Sequence, residues 1–262
     1  MNFSRRRSRG AQDDVNPYWI SFSDLMSALL LVFILAVVVL VLQLIEKQNE
    51  LSAQQDDFSS QQTAFTAQIG TLQEAELARA AILQEIDQQL QAQGIRVRVS
   101  ENNTVLSIPS ALLGFDSASS DLKPEYQGVA QTIGSVISSV ITEGDRLKYL
   151  DTVFVEGHTD NLPFDGLDGT GNWGLSTFRA ITLWTYWEDS LAGPGSLDQL
   201  VNPEGRPLFS VSGYAETRPS SEVQNTNEER ALNRRVDIRF TIVRPSSDDL
   251  LEIQENFQAD ND

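Results

Sequence analysis

The chain has 262 residues, with 19 basic and 37 acidic side chains, a formal charge of −18, one histidine and no cysteine. So acidic a chain lacks the basic surface that nucleic-acid binding requires, and no nucleic-acid partner is expected. Metal centres built on thiolates or paired imidazoles are excluded as well, because Cys is absent and His158 stands alone. The charge is unevenly spread: residues 1–14 hold Arg5, Arg6, Arg7 and Arg9 against Asp13 and Asp14, and the remainder carries 15 bases against 35 acids.

From Leu25 to Ile45 there are 21 residues without a charge, nearly all Leu, Val, Ile, Ala or Phe. About 20 apolar residues at 1.5 Å each cross the hydrocarbon core, so a transmembrane helix is predicted over 17–45. A cleaved signal peptide is the competing reading, but such cores run only about 7–15 residues and end at a small-residue site. The arginines precede the span, which places the basic segment 1–16 in the cytoplasm and the large remainder outside it. Asn16 suits the N-cap and Pro17 the first helical position. Tyr18 and Trp19 are aromatics of the kind that settle at a bilayer interface.

Asp24 follows about 7–8 Å deeper. A carboxylate there costs on the order of 2.5 kcal/mol and normally faces a bundle interior or a watery path. Ser21, Ser27 and Ala28 share its stripe, so that face is small and polar and admits another helix. Two readings follow. Asp24 is an interfacial residue of a frayed helix start, or it is a carboxylate that gains and loses a cation against partner helices.

Residues 46–94 are rich in Gln, Ala, Glu and Ser. Leu44, Leu51, Phe58, Phe65 and Leu72 recur every seven residues, and Ile86 resumes the frame after Arg79. The companion seam is Gln48, Gln55 and Gln62, then Ile69, Glu76, Leu83 and Leu90. This predicts a long helical linker that forms a weak coiled coil, and hence a homodimer. A single solvated helix or a flexible linker is the alternative.

From about residue 95 the pattern turns to mixed α and β. Strands are predicted at Ile95–Val99 and Val105–Ile108, around a turn at Asn102–Asn103, and a helix at Pro124–Ile141. A strand at Thr152–Glu156 ends in Gly157-His158-Thr159-Asp160. A helix over Asn172–Leu191, a strand at Leu208–Ser212, a short helix near Glu228–Leu232 and a strand at Val236–Val243 follow. Residues 192–207, with three Pro and three Gly, read as a surface loop. The tail 245–262 carries six acids and no base and is expected to be disordered.

Four segments of this stretch carry a resemblance. Gly157-His158-Thr159-Asp160, Leu175-Ser176-Thr177-Phe178-Arg179-Ala180, Gly213-Tyr214-Ala215-Glu216 and Asn233-Arg234-Arg235-Val236 resemble, in order, the signatures of the OmpA-like peptidoglycan-binding domain. The segment from Asp160-Asn161-Leu162-Pro163 to Asn172-Trp173 is similar to the MotB branch, the B subunits of ion-driven stators. Trp19-Ile20-Ser21-Phe22-Ser23-Asp24-Leu25-Met26 is similar to the membrane segment of those subunits, whose aspartate carries the ion. The segment Pro17-Tyr18-Trp19-Ile20-Ser21 looks like the B subunit of the Zorya antiphage defence system; the flagellar stator and several motors of unknown output share the plan. Ala215 departs from the usual Gly, and residues 161–171 form a long insertion.

The resemblance implies an α+β protein: one N-terminal transmembrane helix, a helical coiled-coil linker and an OmpA-like α/β sandwich over 95–244. It implies that Asp160 and Arg179 hold the diaminopimelate of the peptidoglycan stem peptide, with Asn172 and Arg235 matching positions nearby. A zwitterionic amino-acid end does call for an anion and a guanidinium fork. The bland alternative is that Asp160 caps a turn and Arg179 makes a surface ion pair. Further implied are a ring of multipass A-type subunits (MotA-like or Zorya-like) as partner, placement in the bacterial inner membrane with a periplasmic C-terminal domain, and Asp24 as carrier of an ion, most simply H⁺. Neither cofactor nor covalent chemistry is implied. A passive anchor between membrane and wall is the competing plan.

Overall fold

A computed structural model describes residues 17–115, 118–166, 169–193 and 195–244. The expected basic segment 1–16 with its Asn16 cap, and the acidic tail 245–262, lie outside the described residues. The chain divides into two compact units, 1–64 and 65–262.

The described part of the first unit is helical throughout. It is the front of α1 (Pro17–Ala92), whose Leu, Val, Ile and Phe side chains between Leu25 and Ile45 are exposed. This stretch is long and apolar enough to cross a membrane. Leu44, Leu51 and Phe58 of the sevenfold seam are exposed too.

The second unit is α+β. Its elements are β1 (Arg98–Val99), β2 (Val105–Pro109), α2 (Ser110–Leu113), α3 (Pro124–Ile141), β3 (Leu150–His158), α4 (Gly171–Ser190), β4 (Phe209–Gly213), α5 (Asn227–Asn233) and β5 (Arg235–Ile242). The sheet order is β1-β2-β5-β3-β4, with β5 antiparallel to both neighbours and β3 parallel to β4. Along β5, Val236, Ile238, Phe240 and Ile242 enter the core, and Arg235, Asp237 and Arg239 alternate to the other face. α3 starts at Pro124, whose fixed φ suits a first helical position, and buries Ala130, Ile133, Val136, Ile137 and Val140. Gly134 lets α4 come close: a Cβ there would lie 2.6 Å from the Trp187 ring. The Trp187 indole then donates to the Ala130 carbonyl at 2.7 Å.

Two expectations change. Leu83, Ile86 and Leu90, assigned to the coiled-coil seams, are fully buried, together with Ile82, in the same core as Leu106, Ile133, Val155 and Phe240. The last turns of α1 are thus part of the globular core, which begins well before residue 95. The loop 192–207 is not simply superficial either. Leu197 and Leu200 enter the core, and Asn202 is buried with its amide donating to the Asp151 carbonyl at 3.0 Å. A Pro- and Gly-rich composition sets the backbone's turns, but two leucines still gain more by burial than by exposure.

Candidate binding pocket

The pocket is built where β3 ends against the first turns of α4. At Gly157 a Cβ would fall 1.8 Å from the Ser176 carbonyl oxygen, and at Gly213 it would fall 2.3 Å from Thr177 Oγ1. The two glycines therefore let α4 lie directly on β3 and β4. The Ser176 hydroxyl accepts from Ala215 N at 3.0 Å, and Thr159 N donates to the Ala215 carbonyl at 2.9 Å. Ala215 holds φ 49°, the left-handed conformation that explains why glycine is the usual residue there.

This packing brings Asp160, Asn172 and Arg179 to one small cavity of about 40 Å³, which Phe164, Leu175 and Arg234 also line. Both Asp160 oxygens are engaged: Oδ1 accepts from Leu162 N at 3.1 Å and Oδ2 from Arg234 Nη1 at 2.6 Å. Arg179 is 1% exposed, in line with Leu175, Leu183 and Trp187 on the buried stripe of α4. Its Nε donates to the Ser119 carbonyl at 2.9 Å, and its guanidinium lies 5.7 Å from the Phe115 ring centre. Burial pushes the Arg179 guanidinium down to about 10; the Asp160 charge opposes the fall and Arg234 adds to it. It remains a cation at neutral pH, and its fixed, desolvated charge is suited to holding a carboxylate. Asn172 sits at the start of α4 and donates to the Leu162 carbonyl at 3.0 Å, so it pins the 161–164 loop over the pocket.

Arg235 is placed elsewhere. Its Nε donates to both Asp237 oxygens at 3.0 Å and its Nη2 to the Arg218 carbonyl at 3.1 Å. His158 Nε2 lies 3.2 Å from Asp237 Oδ2, and the imidazole stacks on Tyr214. Beside them Glu156 accepts from Arg239 at 2.8 Å and from the Tyr214 hydroxyl at 3.1 Å. His158 and Arg235 thus belong to a buried ion network that joins β3 to β5. The arginine that reaches the pocket is Arg234, which the motif reading passed over. The signal available was the Arg-Arg pair at the start of a strand: adjacent extended residues point to opposite sides, so only one of the two could face the site.

Asp24 lies exposed on α1 with Ser21, Ser27 and Ala28. The Ser27 hydroxyl turns back to donate to the Ser23 carbonyl at 2.8 Å.

No family model matches the chain. Motility protein B of Bacillus subtilis (strain 168) is 26% identical over 153 residues, 58% of this chain and 50% of that protein. Over that stretch the chain is similar to MotB. It spans about half the length of the curated relative it matches. Among solved structures, a MotB-like protein from Desulfovibrio vulgaris is 19% identical, with 67% of this chain and 96% of that one covered at a TM-score of 0.47. The cell wall anchor of the T6SS from Pseudomonas aeruginosa is 25% identical, covering 63% and 99% at 0.44. The periplasmic domain of Helicobacter pylori MotB is 21% identical, covering 61% and 89% at 0.44.

Proposed function

We propose that this MotB-like chain is the peptidoglycan-anchored B subunit of an ion-driven stator complex. The observation that carries the reading is the pocket, where a buried guanidinium and a carboxylate meet at the end of a strand. Asp160 takes the ammonium of a diaminopimelate side chain and Arg179 its carboxylate, each through charge-assisted hydrogen bonds. Asn172 keeps the covering loop in place. The wall then holds the domain still while the membrane segment works.

In the membrane, Asp24 on its stripe of small residues would take an ion, most simply H⁺, from an outside path and release it inward. Protonation removes the charge and with it the cost of facing apolar surroundings. One charge crossing 100 mV is worth ~2.3 kcal/mol, which is the energy the cycle draws on. A lone helix forms no pathway, so the step requires a ring of multipass A-type subunits. The exposed Leu44, Leu51 and Phe58 seam supports a second copy of the chain beside it. The arginines before the span support a cytoplasmic N-terminus at the inner membrane, with the pocket in the periplasm. The segment Pro17–Ser21 supports a Zorya-like defence motor over a flagellar one, and phage plating against swimming assays separates the two.

The wall-binding step is tested by co-sedimentation with purified sacculi. Asp160→Asn should weaken binding roughly tenfold or more, the loss of one charge-assisted contact, in a variant that melts lower, because Arg179 and Arg234 lose their anion, but is still folded at the assay temperature. Equal sedimentation of variant and wild type would contradict the assignment.

A further inference from the structure

The pocket contains one arginine more than a single zwitterionic group requires. The charged residues that line it, among the described residues, are Asp160, Arg179 and Arg234. Arg234 now holds Asp160 Oδ2 at 2.6 Å and Leu162 N holds Oδ1, so an incoming ammonium either shares this carboxylate with the guanidinium or makes it move. The two guanidiniums are not equally free to move. Arg179 is 1% exposed and anchored to the Ser119 carbonyl, whereas the Arg234 side chain is 22% exposed. Arg234 can therefore turn without losing solvent, and Arg179 cannot. Once an ammonium holds Asp160 and a carboxylate holds Arg179, Arg234 is left beside Arg179, whose cation it already disfavours. A second carboxylate on the ligand would restore balance, with three cations against three anions.

We propose that Arg234 is a specificity residue that leaves Asp160 for a second carboxylate of the ligand, so that the pocket selects stem peptides whose glutamyl α-carboxylate is free over those in which it is amidated. The inference rests on the wall-binding reading above and extends it. Stem peptides carry the required groups in sequence: a γ-linked glutamyl residue with a free α-carboxylate, then the diaminopimelyl residue with its own ammonium and carboxylate.

The test is titration of the full-length chain in detergent with three synthetic tetrapeptides, Ala-γ-Glu-diaminopimelyl-Ala, each with an amidated C-terminus. One has both remaining carboxylates free, one has the glutamyl α-carboxylate amidated, and one has the diaminopimelyl side-chain carboxylate amidated. In the wild type, glutamyl amidation should weaken binding about tenfold, the value of one charge-assisted contact. In Arg234→Gln the same amidation should change affinity by less than about twofold, since the coupled partner is gone. Amidation at the diaminopimelyl carboxylate should weaken both proteins. Wild-type indifference to the glutamyl amide, or persistence of the discrimination in Arg234→Gln, overturns the inference while leaving wall binding intact. Failure of every peptide to bind either protein overturns the wall-binding reading and this inference with it.

Discussion

Arg179 stands where α4 would otherwise present an apolar side chain, since Leu175, Leu183 and Trp187 occupy the same buried stripe. A cation in that place is costly unless an anion and hydrogen-bond acceptors meet it, and the Ser119 carbonyl and the Asp160 charge do so. The geometry depends on glycines that have no functional group at all. Gly157→Ala would drive a methyl into the Ser176 carbonyl and should cost about 1–3 kcal/mol or more, the range of overpacked sites. Gly70→Ala, within α1 and with nothing near its Cβ, should instead stabilise by roughly 0.5–1 kcal/mol. Thermal unfolding of the two variants should therefore shift in opposite directions. A neutral Gly157→Ala would mean that the β3–α4 contact is looser than described.

Along β5 one face is apolar and the other is an ion ladder, which makes this strand a pH-sensitive element of the domain. Burial alone would raise the Asp237 carboxyl, but the His158 side chain and the Arg235 charge outweigh it and hold the group below its usual range. A depressed carboxyl stabilises the fold above its unfolded value, about 3.9, and that stability is lost as pH falls through the folded value. The melting temperature should fall steeply below about pH 4. Asp237→Asn should start lower at neutral pH, with Arg235 left unpaired, and fall less steeply; parallel curves would contradict this. Much of the element layout was legible in the sequence. The alternation at 236–243 and the helical spacing at 124–141 each have one clear period, and both elements stand within a residue of their expected limits. The region 82–90 was harder to read, because a stripe that packs against its own domain has nearly the same spacing as a coiled-coil seam. In the pocket, Asp160 and Arg179 were legible from their motifs. The choice between Arg234 and Arg235 was not, because it depends on which way β5 faces.

At the scale of the whole molecule, α1 serves two environments with one sequence. Its front carries the apolar stretch and its end completes a soluble core. Ile82, Leu83, Ile86 and Leu90 contribute roughly 1.5–3 kcal/mol each by burial, together comparable to the entire 5–15 kcal/mol of a typical domain. A fragment 65–244 should unfold cooperatively, and one beginning at 95 should not; equal melting curves would show that α1 is dispensable to the core. The central claim joins a wall grip at one end to an ion-carrying acid at the other. Its most direct measurement is proton flux through proteoliposomes that contain this chain and its multipass partner, with wild type beside Asp24→Asn. The account predicts that the variant loses at least about 90% of the flux, as expected when the proposed ion-carrying carboxylate is removed, while still sedimenting with sacculi. Undiminished flux in Asp24→Asn would contradict it and leave a tether without a motor.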